Sequence, residues 1–76
     1  MRLCYVLLNV ELGADKKVFN EVRKVSNVKE CHQLYGDYDM IIKLEGDSMA
    51  KLKKIVTCKI RRIDGVRSTQ TTLVME

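Results

Sequence analysis

The sequence predicts an α+β fold: one four-stranded antiparallel sheet with two helices on one face. Three observations predict it. A run at residues 3–12 alternates with period two, and two later segments repeat apolar residues at helical spacing. Between those helical segments, Gly36-Asp37 separates two further strand-like stretches, so the order reads strand, helix, strand, strand, helix, strand. At 76 residues the chain has room for one domain, taken as 1–76.

The first strand, residues 3–12, places Cys4, Val6, Leu8, Val10 and Leu12 on one wholly apolar face. Its other face carries Leu3, Tyr5 and Leu7 before turning polar at Asn9 and Glu11. A strand apolar on both sides is covered on both sides, by helices on one and by a partner subunit on the other. Gly13 ends the strand, and Asp15 stands where a helix N-cap is expected. Val18, Val22 and Val25 recur at i, i+4 and i+7 beside Phe19, which predicts a helix over residues 15–25. Ser26-Asn27 stops it. Residues 28–35 form the second strand, Gly36-Asp37 a two-residue turn, and residues 38–45 the third strand. Gly46-Asp47-Ser48 breaks the chain and caps a second helix. There Met49, Leu52, Val56, Ile60 and Ile63 make the apolar stripe. Asp64-Gly65 ends that helix, and Val66 to Met75, rich in Thr and Val, is the last strand.

Two right-handed βαβ crossovers around a central hairpin make the split βαβ, or ferredoxin-like βαββαβ, arrangement. Its second sheet face has no cover of its own. A chain this short buries a modest share of its surface, so it needs a staple. Three cysteines, Cys4, Cys31 and Cys58, show no CxxC spacing, and Cys31-His32 is too few neighbouring ligands for zinc. No metal and no cofactor are expected, which leaves self-association as the staple.

Charge and composition exclude other classes. Lys and Arg number 14 against 10 Asp and Glu, a net +4 that is far from a nucleic-acid-binding tail. Aromatic residues are 5% of the chain, too few for a base-stacking platform. No apolar run approaches the roughly 18 residues of a membrane span. The amino terminus lacks the layout of a signal peptide, so a cytoplasmic protein is expected. The four glycines stand alone, without a phosphate-cradling loop, and no nucleophile with a histidine partner is evident, so no catalytic residue is assigned.

Two motifs remain. Gly36-Asp37-Tyr38-Asp39 occupies the central hairpin, and Thr69-Gln70-Thr71 lies on the last strand with both threonines on one face. Each alone is ordinary turn or strand chemistry. Together they offer carboxylates to an ammonium group and hydroxyls to a carboxylate, which suits a zwitterionic amino acid.

In these residues the whole chain resembles the RAM (regulation of amino-acid metabolism) domain, the ligand-binding half of Lrp/AsnC-family transcription regulators. The resemblance rests on Tyr-Val-Leu-Leu-Asn-Val in the first strand, on Gly36-Asp37-Tyr38-Asp39 followed by Met-Ile-Ile-Lys, and on the stretch from Ile63 to Thr71. It implies a sheet-to-sheet dimer, with dimers assembling into octamers or decamers. It also implies a small effector, usually an amino acid, bound where dimers meet. Carried onto this sequence, Gly36, Asp37, Tyr38 and Asp39 line that site with Thr69 and Thr71. Asp39 is expected to serve the ligand and not the fold. Family regulators carry a helix-turn-helix domain ahead of this segment, so the chain is expected not to bind operator DNA specifically by itself. Co-assembly with a full-length regulator is the expected route to transcription.

Two other classes stay open. One is a small enzyme on the same fold, using Asp37, Asp39 or His32 as an acid–base group. The other is non-specific nucleic-acid binding through Lys51, Lys53, Lys54, Lys59, Arg61 and Arg62. Those cations read more simply as the solvated face of a helix.

Overall fold

The computed structural model describes residues 1–74. Strand β1 (Arg2–Val10) is followed by helix α1 (Asp15–Arg23), strands β2 (Val28–Gln33) and β3 (Met40–Gly46), helix α2 (Met49–Ile55) and strand β4 (Val66–Leu73). The strands form one antiparallel sheet in the order β2-β3-β1-β4, which is the predicted ferredoxin-like α+β arrangement. Met75, expected at the end of the last strand, lies outside the described residues.

Alternation along β1 and β3 builds the core. Cys4, Val6, Leu8 and Val10 point to the helix side together with Met40, Ile42 and Leu44. Val18 and Val22 come down on them from α1, and Leu52, Ile55, Val56 and Ile60 from α2 and its continuation. Burying one such side chain is worth about 1.5–3 kcal/mol, so the two stripes are what seat the helices. Phe19 and Val25 pack at the margin of this core. On the other face Leu3, Tyr5, Leu7 and Ile41 are half-buried, with no helix above them.

Four local expectations are corrected. β1 ends at Val10, and Leu12 is fully exposed instead of extending the apolar face, because the chain turns away at Glu11. There the Ala14 N–H donates to the Glu11 carbonyl at 2.9 Å. Asp15 is the first helical residue and not the cap. Ala14 occupies the cap position without a side-chain bond, and its carbonyl accepts from Val18 at 2.9 Å. The β2–β3 connection spans residues 34–39, closed by Leu34 N–H donating to the Asp39 carbonyl at 2.9 Å, so it is longer than a two-residue turn. The second helix leaves α-geometry after Ile55 and ends in a π-turn at Val56–Ile60, where Arg61 N–H reaches back five residues to the Val56 carbonyl at 2.8 Å. Its cap is as expected: Ser48 Oγ accepts the Lys51 N–H at 3.2 Å.

Candidate functional site

The hairpin 34–39 is set against the far end of β1 by one residue. Asp39 donates its N–H to the Leu8 carbonyl at 2.8 Å, and its Oδ2 accepts the N–H of Val10 at 2.9 Å. Asp39 therefore does contribute to the fold, contrary to expectation. Gly36, with φ +136°, takes a backbone conformation that L side chains rarely adopt, and lets the tip turn. Held this way, the tip presents Asp37 to solvent with no ion pair among the described residues, beside exposed Leu34 and Tyr35. The half-buried Tyr38 turns towards β4, where its Oη donates to Gln70 Oε1 at 2.5 Å.

Gln70 lies between the two threonines, yet their side chains leave β4 on the opposite face. Thr69 pairs with Leu8 and Thr71 with Val6, so both point to the helix side, while Gln70 pairs with Leu7 on the open side. There Thr69 and Thr71 line a groove of about 420 Å³ with Lys53, Val56, Thr57, Arg61 and Leu73. Within one subunit the structure thus joins the hairpin to β4 through Tyr38 and Gln70. It does not bring the hairpin carboxylates and the threonine hydroxyls into one cavity. Gln70 escaped the sequence reading, although its place between two same-face threonines puts it on the sheet face that Tyr38 reaches.

Elsewhere the polar chemistry is simple. His32 and Cys31 are neighbours in sequence but face opposite sides of β2, since Cys31 pairs with Ile42 and His32 with Ile41. Their separation by the strand pleat explains why they cannot act as a pair. Among the described residues no three His, Cys, Asp or Glu side chains gather as metal ligands would. Burial pushes the Cys31 thiol up to about 11 against the nearby Arg23 charge, and burial raises the Cys4 thiol also. Both are packing residues, far from thiolate character. His32 Nε2 lies 3.2 Å from Glu30 Oε1, and Lys43 donates to Glu30 Oε2 at 3.3 Å, all on the open face. The hydrogen bond with His32 first, and then Lys43, hold the Glu30 carboxyl below its ordinary value. The basic residues of the second helix divide: Lys51, Lys54 and Lys59 surround a smaller cavity with Asn27, Ile55 and Cys58, while Lys53 and Arg61 turn to β4. No helix among the described residues is long and apolar enough to cross a membrane.

Both the sequence and the fold match known proteins. A family described as the Lrp/AsnC ligand binding domain matches residues 3–76. The leucine-responsive regulatory protein of Klebsiella pneumoniae is 32% identical over 77 residues, covering 97% of this chain and 47% of that protein. The chain thus spans about half the length of that relative. The crystal structure of FFRP-DM1 superposes with a TM-score of 0.94 at 29% identity, covering 99% of this chain and all of the other. A transcriptional regulator from Neisseria meningitidis, solved in complex with L-Met, has the same fold, with a TM-score of 0.87 at 19% identity, over 99% of this chain and 50% of its own.

Proposed function

The chain belongs to the Lrp/AsnC ligand binding domain family, and on that premise we propose that it binds an amino-acid effector between dimers and so modulates the regulation of amino-acid metabolism. The observation that carries this reading is the Tyr38–Gln70 hydrogen bond, which ties the hairpin to the last strand at one end of the sheet. Asp37 supplies a free carboxylate there for an ammonium group, and Gly36 gives close access to the backbone. Because Thr69 and Thr71 face the other side of β4, they complete such a site only by meeting the hairpin of a neighbouring subunit. This is consistent with an effector held at a seam between dimers. The exposed Leu34 and Tyr35 at the tip provide apolar surface for that seam.

The half-buried Leu3, Tyr5, Leu7 and Ile41 support a sheet-to-sheet dimer, and dimers closing into an octamer or decamer would place one site at each seam. A ligand shifts such an assembly by its differential affinity for the assembled form. The helices α1 and α2 are separated by two strands, and neither is built as a helix-turn-helix. Co-assembly with a full-length family regulator in the cytoplasm is the route by which this reading connects effector binding to DNA. The domain itself catalyses nothing. Two of the proteins described above are named as regulators, those of Klebsiella pneumoniae and Neisseria meningitidis, and the second is seen with L-Met.

Light scattering with thermal-shift measurements tests the proposal, each common amino acid being added in turn and L-Met first. The expected result is a multimer of dimers that at least one amino acid stabilises. A chain that none of them stabilises has no amino-acid effector.

A further inference from the structure

We propose that the helix layer, and the second helix above all, docks on the phosphate backbone of duplex DNA without reading its sequence. The chain makes this contact itself, and it depends neither on the effector nor on a co-assembled regulator. The cations of the chain are unevenly placed. Helix α1 carries Lys16, Lys17, Arg23 and Lys24, and six more lie between residues 49 and 62, which leaves four of the fourteen Lys and Arg residues for the strands. All those of the helix layer are exposed. The open face of the sheet is mixed instead, with Glu30, Lys43 and Glu45, and the hairpin is acidic at Asp37.

Residues 49–62 contain no Asp or Glu. None of their six cations has an ion pair among the described residues, whereas on α1 Lys17 is paired with Asp64 and Lys24 with Glu21. Glu76, the one acidic residue outside the described ones, sets a single carboxylate against six cations. These side chains therefore amount to more than the solvated face of a helix.

Their spacing fits a strand of phosphates. At a rise of about 1.5 Å per residue, residues 49–62 extend for roughly 20 Å. One strand of DNA presents a phosphate about every 3.4 Å along the axis, or about six over that length. Lys53 and Arg61 flank the helix on the β4 side, and Lys51, Lys54 and Lys59 on the side of Asn27. Ala50 and Thr57, exposed and small, let a backbone lie close to the helix.

Other polyanionic surfaces fit less well. The exposed large apolar side chains are Met1, Leu12, Leu34 and Tyr35, none of them on a helix, because the apolar stripe of each helix is committed to the sheet. A lipid surface would find nothing there to take up. A single nucleic-acid strand would find no stacking platform. Phe19 is the one aromatic residue of the two helices, half-buried with the Arg23 guanidinium 5.5 Å from its ring centre.

Fluorescence anisotropy of two unrelated labelled duplexes, titrated with the full chain at about 50 and about 200 mM salt, tests the contact. Both are expected to bind alike, with an affinity that falls about 10³-fold between the two salts, as six phosphate contacts require. Lys54→Gln and Lys59→Gln, neither of which touches the groove of Thr69 and Thr71, should each reduce the slope of log affinity on log salt by about one. Lys29→Gln removes the same charge from β2 and should leave the slope unchanged. The proposal is overturned if neither duplex binds at the lower salt or if one is preferred more than about tenfold. It is overturned too if Lys29→Gln reduces the slope as much as Lys54→Gln, which would make the effect one of net charge. Binding of phosphatidylglycerol vesicles without binding of either duplex overturns it in favour of a membrane surface.

Discussion

The carboxylate of Asp39 accepts the backbone N–H of Val10 at 2.9 Å, extending the β1–β3 ladder past its last regular pair, Leu8 with Met40. A side chain thus does what a strand residue would otherwise do, and the hairpin is held to the sheet by it.

Replacing Asp39 with Ala leaves the part-buried Val10 N–H without its acceptor and is expected to lower stability by about 1–3 kcal/mol. Urea denaturation reads this directly. Asp39→Asn keeps an acceptor oxygen and should lose less. Equal midpoints for Asp39→Ala and the parent would mean that the clamp does not stabilise the fold.

Asp37 separates ligand from fold. Exposed and without an ion pair among the described residues, it is expected to change stability by less than about 0.5 kcal/mol on substitution by Ala. The same variant should weaken binding of whichever amino acid stabilises the parent. Titration of both proteins with that amino acid decides it, and unchanged affinity would remove Asp37 from the site.

Gly65 joins the end of the second helix to β4 with φ +105°, and its carbonyl accepts the Glu11 N–H at 2.7 Å. A Cβ at this position would stand 3.0 Å from both Ala14 Cβ and Val18 Cγ2. Gly65→Ala therefore combines backbone strain with crowding against α1. It is expected to destabilise by about 1–3 kcal/mol, seen as a fall in melting temperature. A melting temperature equal to the parent's would show that the junction relaxes freely.

On the open face, Glu30 links His32 and Lys43. Its folded-state carboxyl is held below the ordinary 4.5. The stability it adds is complete above that value and is lost as pH falls through the lowered one. Glu30 in turn raises the Lys43 ammonium above 10.5, so that contribution is complete below 10.5 and is lost as pH rises further. Glu21 and Asp64, lowered by Lys24 and Lys17, share the acid limb. Glu30→Gln should accordingly flatten both limbs of a stability–pH profile, the acid one only in part. A profile superposable on the parent's would deny the pair any role.

Leu7 and Ile41 face one another on the side of the sheet away from the helices, both half-buried. A charge there opposes any partner sheet, because burying an unpaired carboxylate is costly. Leu7→Glu is expected to reduce the assembly to monomers in light scattering while circular dichroism stays unchanged. Retention of the parental mass would place the dimer contact elsewhere.

The layered fold was legible because period two along Cys4, Val6, Leu8 and Val10, and helical spacing in Val18, Val22, Leu52 and Val56, follow directly from which side each residue faces. What escaped reading depends on contacts distant in sequence. Leu12 continues the alternation by type, but nothing local says that Glu11 bonds to Gly65 and turns the chain. The π-turn keeps Val56 and Ile60 on the buried stripe, so it leaves no mark on the apolar pattern. For the site, the shared face of Thr69 and Thr71 was readable from their spacing. Which side of the sheet that face lies on was not, because it is set by pairing with Val6 and Leu8 some sixty positions earlier.

That pairing also governs how the chain comes to be folded. β1, made before β3 and β4, lies between them in the sheet. During synthesis it can pair with β3 once residues 40–46 have emerged, but one of its edges stays bare until residues 66–73 follow. Contacts this distant are slow to close, so docking of β4 is expected to be the late step of folding. Until then Cys4, Val6 and Leu8 have a free hydrogen-bonding edge beside them, open to a second nascent chain.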